Sequence, residues 1–444
     1  VTARDWADTV IWWQVFPLGF AGAPAEGLPE AGDGDVADGL PGEGWLDHLV
    51  DLGCNGLALG PVFAAQSHGY DTLDHHAVDR RLGDTQTLRT LLDRCRARGV
   101  RVLLDGVFNH LGRDHPIARR AIEAGPDSEP GRWLRWTAGP AGWPEPEVFE
   151  GHSRLVVLNH DNPQVADLVV DVLDHWLDAG ADGWRLDAAY AVPAPFWAQV
   201  LPRVRERHPD AWFVGEVIHG DYAGYVEASG LDAVTQYELW KAVWSSLRER
   251  NFFELDWTLR RHAELLTSFV PLTFLGNHDV TRIASQLGDR RLLPHAVALL
   301  CLLPGVPSVY YGDEFGLEAV KEERLGGDDA IRPAFPDDPA ELEERPGGGV
   351  EDLYRMLIAV RRRHPWLVDA ELRTEDLSNE QVAVVLTARA GAEHGRLALL
   401  LNVGEKSAEL VPGDGDWTVV ERSPGDPGRG PSVVGAHGWS VLAG

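Results

Sequence analysis

Lysine is nearly missing from this chain. Only Lys241, Lys321 and Lys406 occur, and with arginine the cations total 40 against 69 acidic side chains, a formal charge of −29. Clustered cations are what nucleic acids and anionic membrane surfaces bind, so this balance argues against both as partners. A neutral substrate is indifferent to that field. Cysteine is scarce as well: Cys54, Cys95 and Cys301 cannot all pair, and each lies in an apolar stretch. Buried free thiols and a reducing, cytoplasmic compartment are therefore expected. No apolar run approaches the ~18 residues of a membrane span, and no basic-then-apolar leader opens the chain, although numbering from Val1 leaves a removed upstream segment open.

What is present is a globular composition, 44% hydrophobic and 25% charged, over a length that suits one large barrel with attachments. Short apolar runs alternate with longer amphipathic stretches over the first 360 residues, the rhythm of repeated βα units. Strands are expected near Ile11–Phe16, Gly56–Leu59, Val102–Gly106, Gly183–Leu186, Trp212–Val214, Ala233–Thr235, Pro271–Leu275 and Ser308–Tyr310. Eight such strands give an α/β fold, a (β/α)8 barrel. Helices are expected after Pro163, with Asn162 to cap and Gly180 to stop it, and from Thr85 to Arg98.

The rhythm breaks twice. Between His110 and Leu158 glycine, proline and tryptophan crowd together, as in Trp133-Leu-Arg-Trp136 and Gly139-Pro-Ala-Gly-Trp-Pro144, which predicts an inserted subdomain rather than a loop. Beyond His364-Pro365, runs such as Val382–Thr387 and Leu397–Val403 predict a small antiparallel β-domain. The expected division is thus barrel over 1–110, insertion over 111–158, barrel again over 159–364, and β-domain over 365–444.

Barrel enzymes build their sites where strands end. Here Asn109 and His110 follow the third strand, Arg185 and Asp187 the fourth, Glu216 the fifth, and Asn277-His278-Asp279 the seventh. Any one of these alone is most often a helix cap or a solvated loop residue. Their joint placement on separate strands of one barrel is not explained that way. Converging carboxylates suit glycoside hydrolysis, which needs one acid protonated and another ionised. Asp187 lies two residues from Arg185 on the same side of a strand, so the cation should keep it ionised as a nucleophile. Glu216 ends an apolar run, where desolvation and the charge of Asp187 should raise its pKa and fit it as acid/base.

The stretches Asp105-Gly-Val-Phe-Asn-His110, Gly183-Trp-Arg-Leu-Asp187, Gly215-Glu216 and Phe274-Leu-Gly-Asn-His-Asp279 resemble, in order, the four signature stretches of the α-amylase superfamily, glycoside hydrolase family 13. The resemblance extends to Gly69–Asp74, Leu158–Pro163 and Tyr310–Gly316 and covers about residues 10–360. It implies Asp187 as nucleophile, Glu216 as general acid/base and Asp279 as a carboxylate that stabilises the transition state. It further implies His110 and His278 on sugar hydroxyls, Arg185 orienting the nucleophile, and Tyr70 stacked on the ring. Within the family the chain looks most like the neopullulanase, cyclomaltodextrinase and maltogenic amylase group, with the cyclic maltosyl-maltose hydrolases as one subgroup. Gly326–Arg332 is similar to that group's Asp and Arg pair, which would set Asp328 and Arg332 on glucose hydroxyls; from spacing alone an ordinary surface ion pair is equally open.

The substrate so implied is an α-glucan oligosaccharide, short or cyclic, hydrolysed with retention through a covalent glycosyl-enzyme. Transglycosylation or isomerisation through the same intermediate is the alternative. The chain departs from the group at Ala188-Ala-Tyr190 after the nucleophile and at Val217-Ile-His219 after the acid/base, which makes Tyr190, Ile218 and His219, with Trp133, Trp136 and Trp143, the residues expected to set specificity. For any single tryptophan, local packing in a small subdomain is the slightly better account. No cofactor is required and no metal site is predicted; a structural Ca²⁺ touching Asn109 is implied only by some relatives. A metal-dependent hydrolase using His110, Asp187, Glu216, His278 and Asp279 would be the rival chemistry, but the sequence has no His-x-His or His-Glu-x-x-His spacing to support it. Oligomeric state is left open.

Overall fold

In a strand, residues two apart share a face, and the barrel of this protein uses that period to separate grease from chemistry. The computed structural model describes residues 6–24, 39–139, 142–324, 326–342, 348–390, 395–424 and 430–444. Within the Trp-rich stretch, Pro140 and Ala141 lie outside the described residues.

Eight parallel strands form one sheet: β1 (Trp12–Val15), β2 (Gly56–Leu59), β3 (Arg101–Gly106), β4 (Gly183–Leu186), β5 (Trp212–Gly215), β6 (Ala233–Val234), β7 (Leu272–Phe274) and β8 (Val306–Tyr310). A parallel bridge between Thr235 and Leu272 joins β6 to β7 and completes the ring. The expected strands are all present; Gly56–Leu59 and Gly183–Leu186 have the expected bounds and the others differ by one or two residues at an end.

Two layers fill the barrel. At the N-terminal end of the strands, Trp12, Ala58, Leu103, Trp212, Val214, Ala233 and Val306 form an apolar plug, with the Trp12 and Trp212 rings stacked at 5.8 Å. Gly56 makes room for it, since a Cβ there would stand 2.4 Å from the Trp12 ring. Two residues further along, the same inward columns turn polar: Trp12 gives way to Gln14, Leu103 to Asp105, Gly183 to Arg185, and Val214 to Glu216. The alternate residues Trp13, Leu57, Leu104, Trp184, Leu186 and Phe213 are buried outward against the helices.

The helices obey their sequence signals. Pro163–Ala179 starts at Asn162, whose side chain accepts from the Gln164 N–H, and stops at Gly180 in the left-handed region at φ 117°. Thr85–Ala97 starts at Asp84, which exchanges hydrogen bonds with Thr87 in a capping box.

Between β3 and the helix from Pro163, the chain forms a short pair of strands, His110–Gly112 with Leu155–Val157, a helix Pro116–Ala124 and a second small pair, Trp136–Ala138 with Pro144–Pro146. Trp133 and Trp136 pack against the core, whereas Trp143 is 76% exposed.

The C-terminal segment is a five-stranded antiparallel sheet with a two-stranded addition. Its near-continuous apolar run Leu397–Leu401 is explained by burial on both faces. Leu397, Leu399 and Leu401 join the main core, while Ala398 and Leu400 face a second cluster with Leu410, Val434 and Leu442. His295, buried in the helix Leu293–Leu302, ties this sheet to the barrel through the carbonyls of Asn402 at 3.2 Å and Gly438 at 3.0 Å.

Candidate active site

The polar layer of the barrel is centred on one guanidinium. Parallel pairing sets Arg185 of β4 opposite Asp105 of β3, and Nη1 of Arg185 donates to both Asp105 oxygens at 2.7 and 2.8 Å. The same nitrogen lies 3.4 Å from Asp187 Oδ1, and Nη2 lies 2.9 Å from Glu216 Oε1. One buried cation thus touches three buried carboxylates. Glu216 also accepts from the Ala188 N–H at 3.0 Å and from the Tyr237 hydroxyl at 3.3 Å. Ala188 presents that N–H from a left-handed conformation, φ 46°.

This charge distribution corrects one expectation. Arg185 does not chiefly hold Asp187 ionised, because its shorter contacts go to Asp105 and Glu216. Burial first and the neighbouring Glu216 carboxylate second push Asp187 well above the usual carboxylate range. The two carboxylates are held together through Arg185, and the charge of Glu216 bears directly on Asp187.

Asp279 lies across from that pair under opposite influences. Burial raises its pKa, but the adjacent His278 ring, then Arg332, outweigh this and hold Asp279 well below the carboxylate range. His278 Nε2 is 2.9 Å from Asp279 Oδ2, and Arg332 Nη2 donates to Asp279 Oδ1 at 3.1 Å. The His278 ring is fixed between the rings of Phe16 and Tyr70, each 5.5 Å away. Tyr70 is close to His278 Nε2 and donates to Asp105 Oδ2 at 3.1 Å, which links the two halves of the site.

Asp328 and Arg332 form an ion pair at 3.2 Å, yet the surface-pair reading fails for Arg332: it is mostly buried, lies over the Phe16 ring at 4.4 Å and contacts Asp279. Lys321 approaches from outside, 3.4 Å from Asp328 and donating to the Asp279 carbonyl at 2.9 Å.

Two predicted residues behave differently from the rest. His110 is buried with both ring nitrogens engaged, Nε2 with the Tyr70 carbonyl at 3.1 Å and Nδ1 with Asn109 Nδ2 at 3.1 Å. Burial lowers its pKa to about 3, so the ring is neutral. It braces Tyr70 rather than offering a free nitrogen. His219 is exposed and lies 6.4 Å from the Tyr190 ring, at the rim.

Asp105 and Tyr237 complete the constellation without having been singled out as site residues, together with Asn277, which was named among the strand ends but given no role. Asn277 donates to the Tyr237 hydroxyl at 2.9 Å and accepts from the Asp279 N–H at 2.8 Å, so it spans Glu216 and Asp279. The signal for Asp105 was its place two residues past Leu103 on an inward column. Among the described residues no group of three or more His, Cys, Asp or Glu is placed to hold a metal ion.

Comparison with known proteins agrees with this geometry. Residues 14–346 match the model of the α-amylase catalytic domain. A cyclomaltodextrinase from a Bacillus species is 33% identical over 337 residues, covering 70% of this chain and 60% of that protein. Neopullulanase 2 of Thermoactinomyces vulgaris is 28% identical over 445 residues, covering 95% of this chain and 74% of its own length. Among solved structures, the cyclic α-maltosyl-(1→6)-maltose hydrolase of Arthrobacter globiformis superposes with a TM-score of 0.79 at 28% identity, with both chains covered completely. With the fold, the converging carboxylates and the match over 14–346 in agreement, this chain belongs to the α-amylase family of glycoside hydrolases.

Proposed function

We propose that the protein hydrolyses α-glucosidic bonds in short or cyclic maltooligosaccharides, with retention of configuration, by double displacement. The observation that carries this is the single Arg185 guanidinium bridging Asp187 and Glu216, with Asp279 held separately by His278 and Arg332.

In the first step an Asp187 oxygen attacks the anomeric carbon while the bond to the leaving oxygen breaks and Glu216 delivers its proton there. The ring flattens and becomes cationic, and the anionic Asp279 on the 2- and 3-hydroxyls binds that state more strongly than the ground state. In the second step Glu216 takes a proton from water, whose oxygen attacks the same carbon and releases Asp187. The mechanism requires Asp187 to be ionised when it attacks, and the Arg185 contact supports that anion. Tyr70, His278, Asp328 and Arg332 form the sugar-holding side, with His110 bracing Tyr70. The three cysteines are free and buried, which fits a reducing compartment.

Restriction to small substrates rests on the likeness to the cyclic α-maltosyl-(1→6)-maltose hydrolase along the full chain. A panel of starch, pullulan, cyclodextrins, cyclic maltosyl-maltose and short linear maltooligosaccharides at equal glucose content tests it. The small and cyclic substrates should be cleaved faster; dominance of starch would overturn the restriction.

A further inference from the structure

One more carboxylate, Glu150, stands beside the loop that follows the nucleophile. Glu150 lies in the one-turn segment Phe149–Gly151 of the stretch between β3 and β4, with φ 47° and ψ 32°, a left-handed conformation for a residue with a side chain. Such a conformation persists only where neighbouring contacts impose it, and it is found disproportionately at functional sites. Two contacts impose it here. The Phe149 ring stacks on His110 at 4.9 Å, and Glu150 Oε1 accepts from the Tyr190 hydroxyl at 2.6 Å. Tyr190 sits three residues beyond Asp187, and its own N–H donates to the Glu216 carbonyl at 3.2 Å. Burial and then the Glu150 bond push the Tyr190 hydroxyl upward, so it remains a donor. The chain thereby closes a strap from the inserted stretch to the loop after the nucleophile, next to Glu216.

Phe149, Tyr190 and His219 form a row of rings along this edge, with centroids 6.4 Å apart at each step. Flat rings stack on sugar faces, and a row beside the acid/base lies where the leaving sugar, or an incoming acceptor sugar, must rest. Tyr190 can hold that position only if its side chain is fixed, and Glu150 is the group that fixes it.

We infer that Glu150 is a positioning and specificity residue: by clamping the Tyr190 hydroxyl it shapes the subsite for the sugar on the leaving-group side. The inference rests on the reading of the protein as a retaining α-glucan hydrolase. Glu150→Ala and Tyr190→Phe each remove the clamp, and the double variant tests whether they act as one unit. The measurement is kcat/KM for maltotetraose, which fills the leaving-group subsite with sugar, divided by kcat/KM for an aryl α-maltoside, which places only the aryl group there. The ratio should fall at least threefold in each single variant, and the double variant should fall no further than the larger single effect. A change below threefold in both single variants, or a double effect equal to the product of the two, would overturn the inference. Tyr190→Phe keeps the test available should the Glu150 variant fold poorly. A wild-type protein that cleaved neither compound would contradict the proposed function instead.

Discussion

Arg185 and Asp105 form the innermost contact of the site, a single Nη1 nitrogen 2.7 and 2.8 Å from the two oxygens of a carboxylate with no exposed surface. The pair sits directly above the apolar plug of Trp12 and Trp212, so it cannot be relieved by water from below. It fixes the plane of the guanidinium and hence the direction in which Nη2 meets Glu216.

Asp105→Ala should therefore damage both stability and turnover. Removing one partner of a buried ion pair costs about 3–5 kcal/mol, and the lower end applies because Asp187 and Glu216 still face Arg185. Urea unfolding should show that loss of about 3 kcal/mol, and kcat should fall more than about a hundredfold even where the protein remains folded, as expected for a displaced acid/base.

The influence of the Glu216 charge on Asp187 gives a second test. Removing the charge of Glu216 takes away one of the causes that raise Asp187, so Asp187 in Glu216→Gln should titrate at lower pH than in the wild type, while burial keeps it above an ordinary aspartate. Carbon NMR of aspartate-labelled protein reads this directly. An unmoved or raised titration would show that the two carboxylates are not coupled.

Arg332→Met should act through Asp279. Loss of the 3.1 Å contact leaves His278 and the more distant charge of Arg185 to hold the anion down, so Asp279 protonates at higher pH. The acid limb of the kcat/KM profile should move upward, and kcat/KM should fall about tenfold or more, the scale of one charged hydrogen bond. An unshifted limb would mean that the contact does not govern the ionisation of Asp279.

Stability should depend on buried histidines. Burial lowers His75, His262 and His295 to about 4 and His110 and His115 to about 3. The unfolded chain takes up these protons near pH ~6.5, the folded one only near 3 to 4. Their contribution is therefore full above pH ~6.5 and lost progressively as pH falls toward 3. The melting temperature should drop over that window. In His295→Gln, which removes one of the five, the slope should be shallower.

The site and barrel were legible to different depths. Strand ends such as Arg185, Asp187, Glu216 and Asp279 announce themselves because a polar residue closing an apolar run has few places to go in a barrel. Asp105 was visible in its motif but not as a partner of Arg185, since that depends on the register between β3 and β4, which one sequence does not contain. Spacing left Arg332 open between a surface pair and the site; only the fold brings Phe16 under its guanidinium. His110 looked available to a sugar because nothing local reveals that both of its nitrogens are taken. Glu150 gave no sign at all: its role comes from a left-handed turn in an irregular stretch and from a tyrosine 40 residues away.

Under the proposed double displacement, Asp187 carries the covalent intermediate. A slow fluorinated α-glucosyl fluoride, added to the wild-type protein and followed by peptide mapping in a mass spectrometer, tests it most directly. A glycosyl adduct on the peptide containing Asp187, absent from Asp187→Asn, is the predicted result. An adduct on another carboxylate, or turnover of the reagent to the inverted anomer with no adduct, would contradict it.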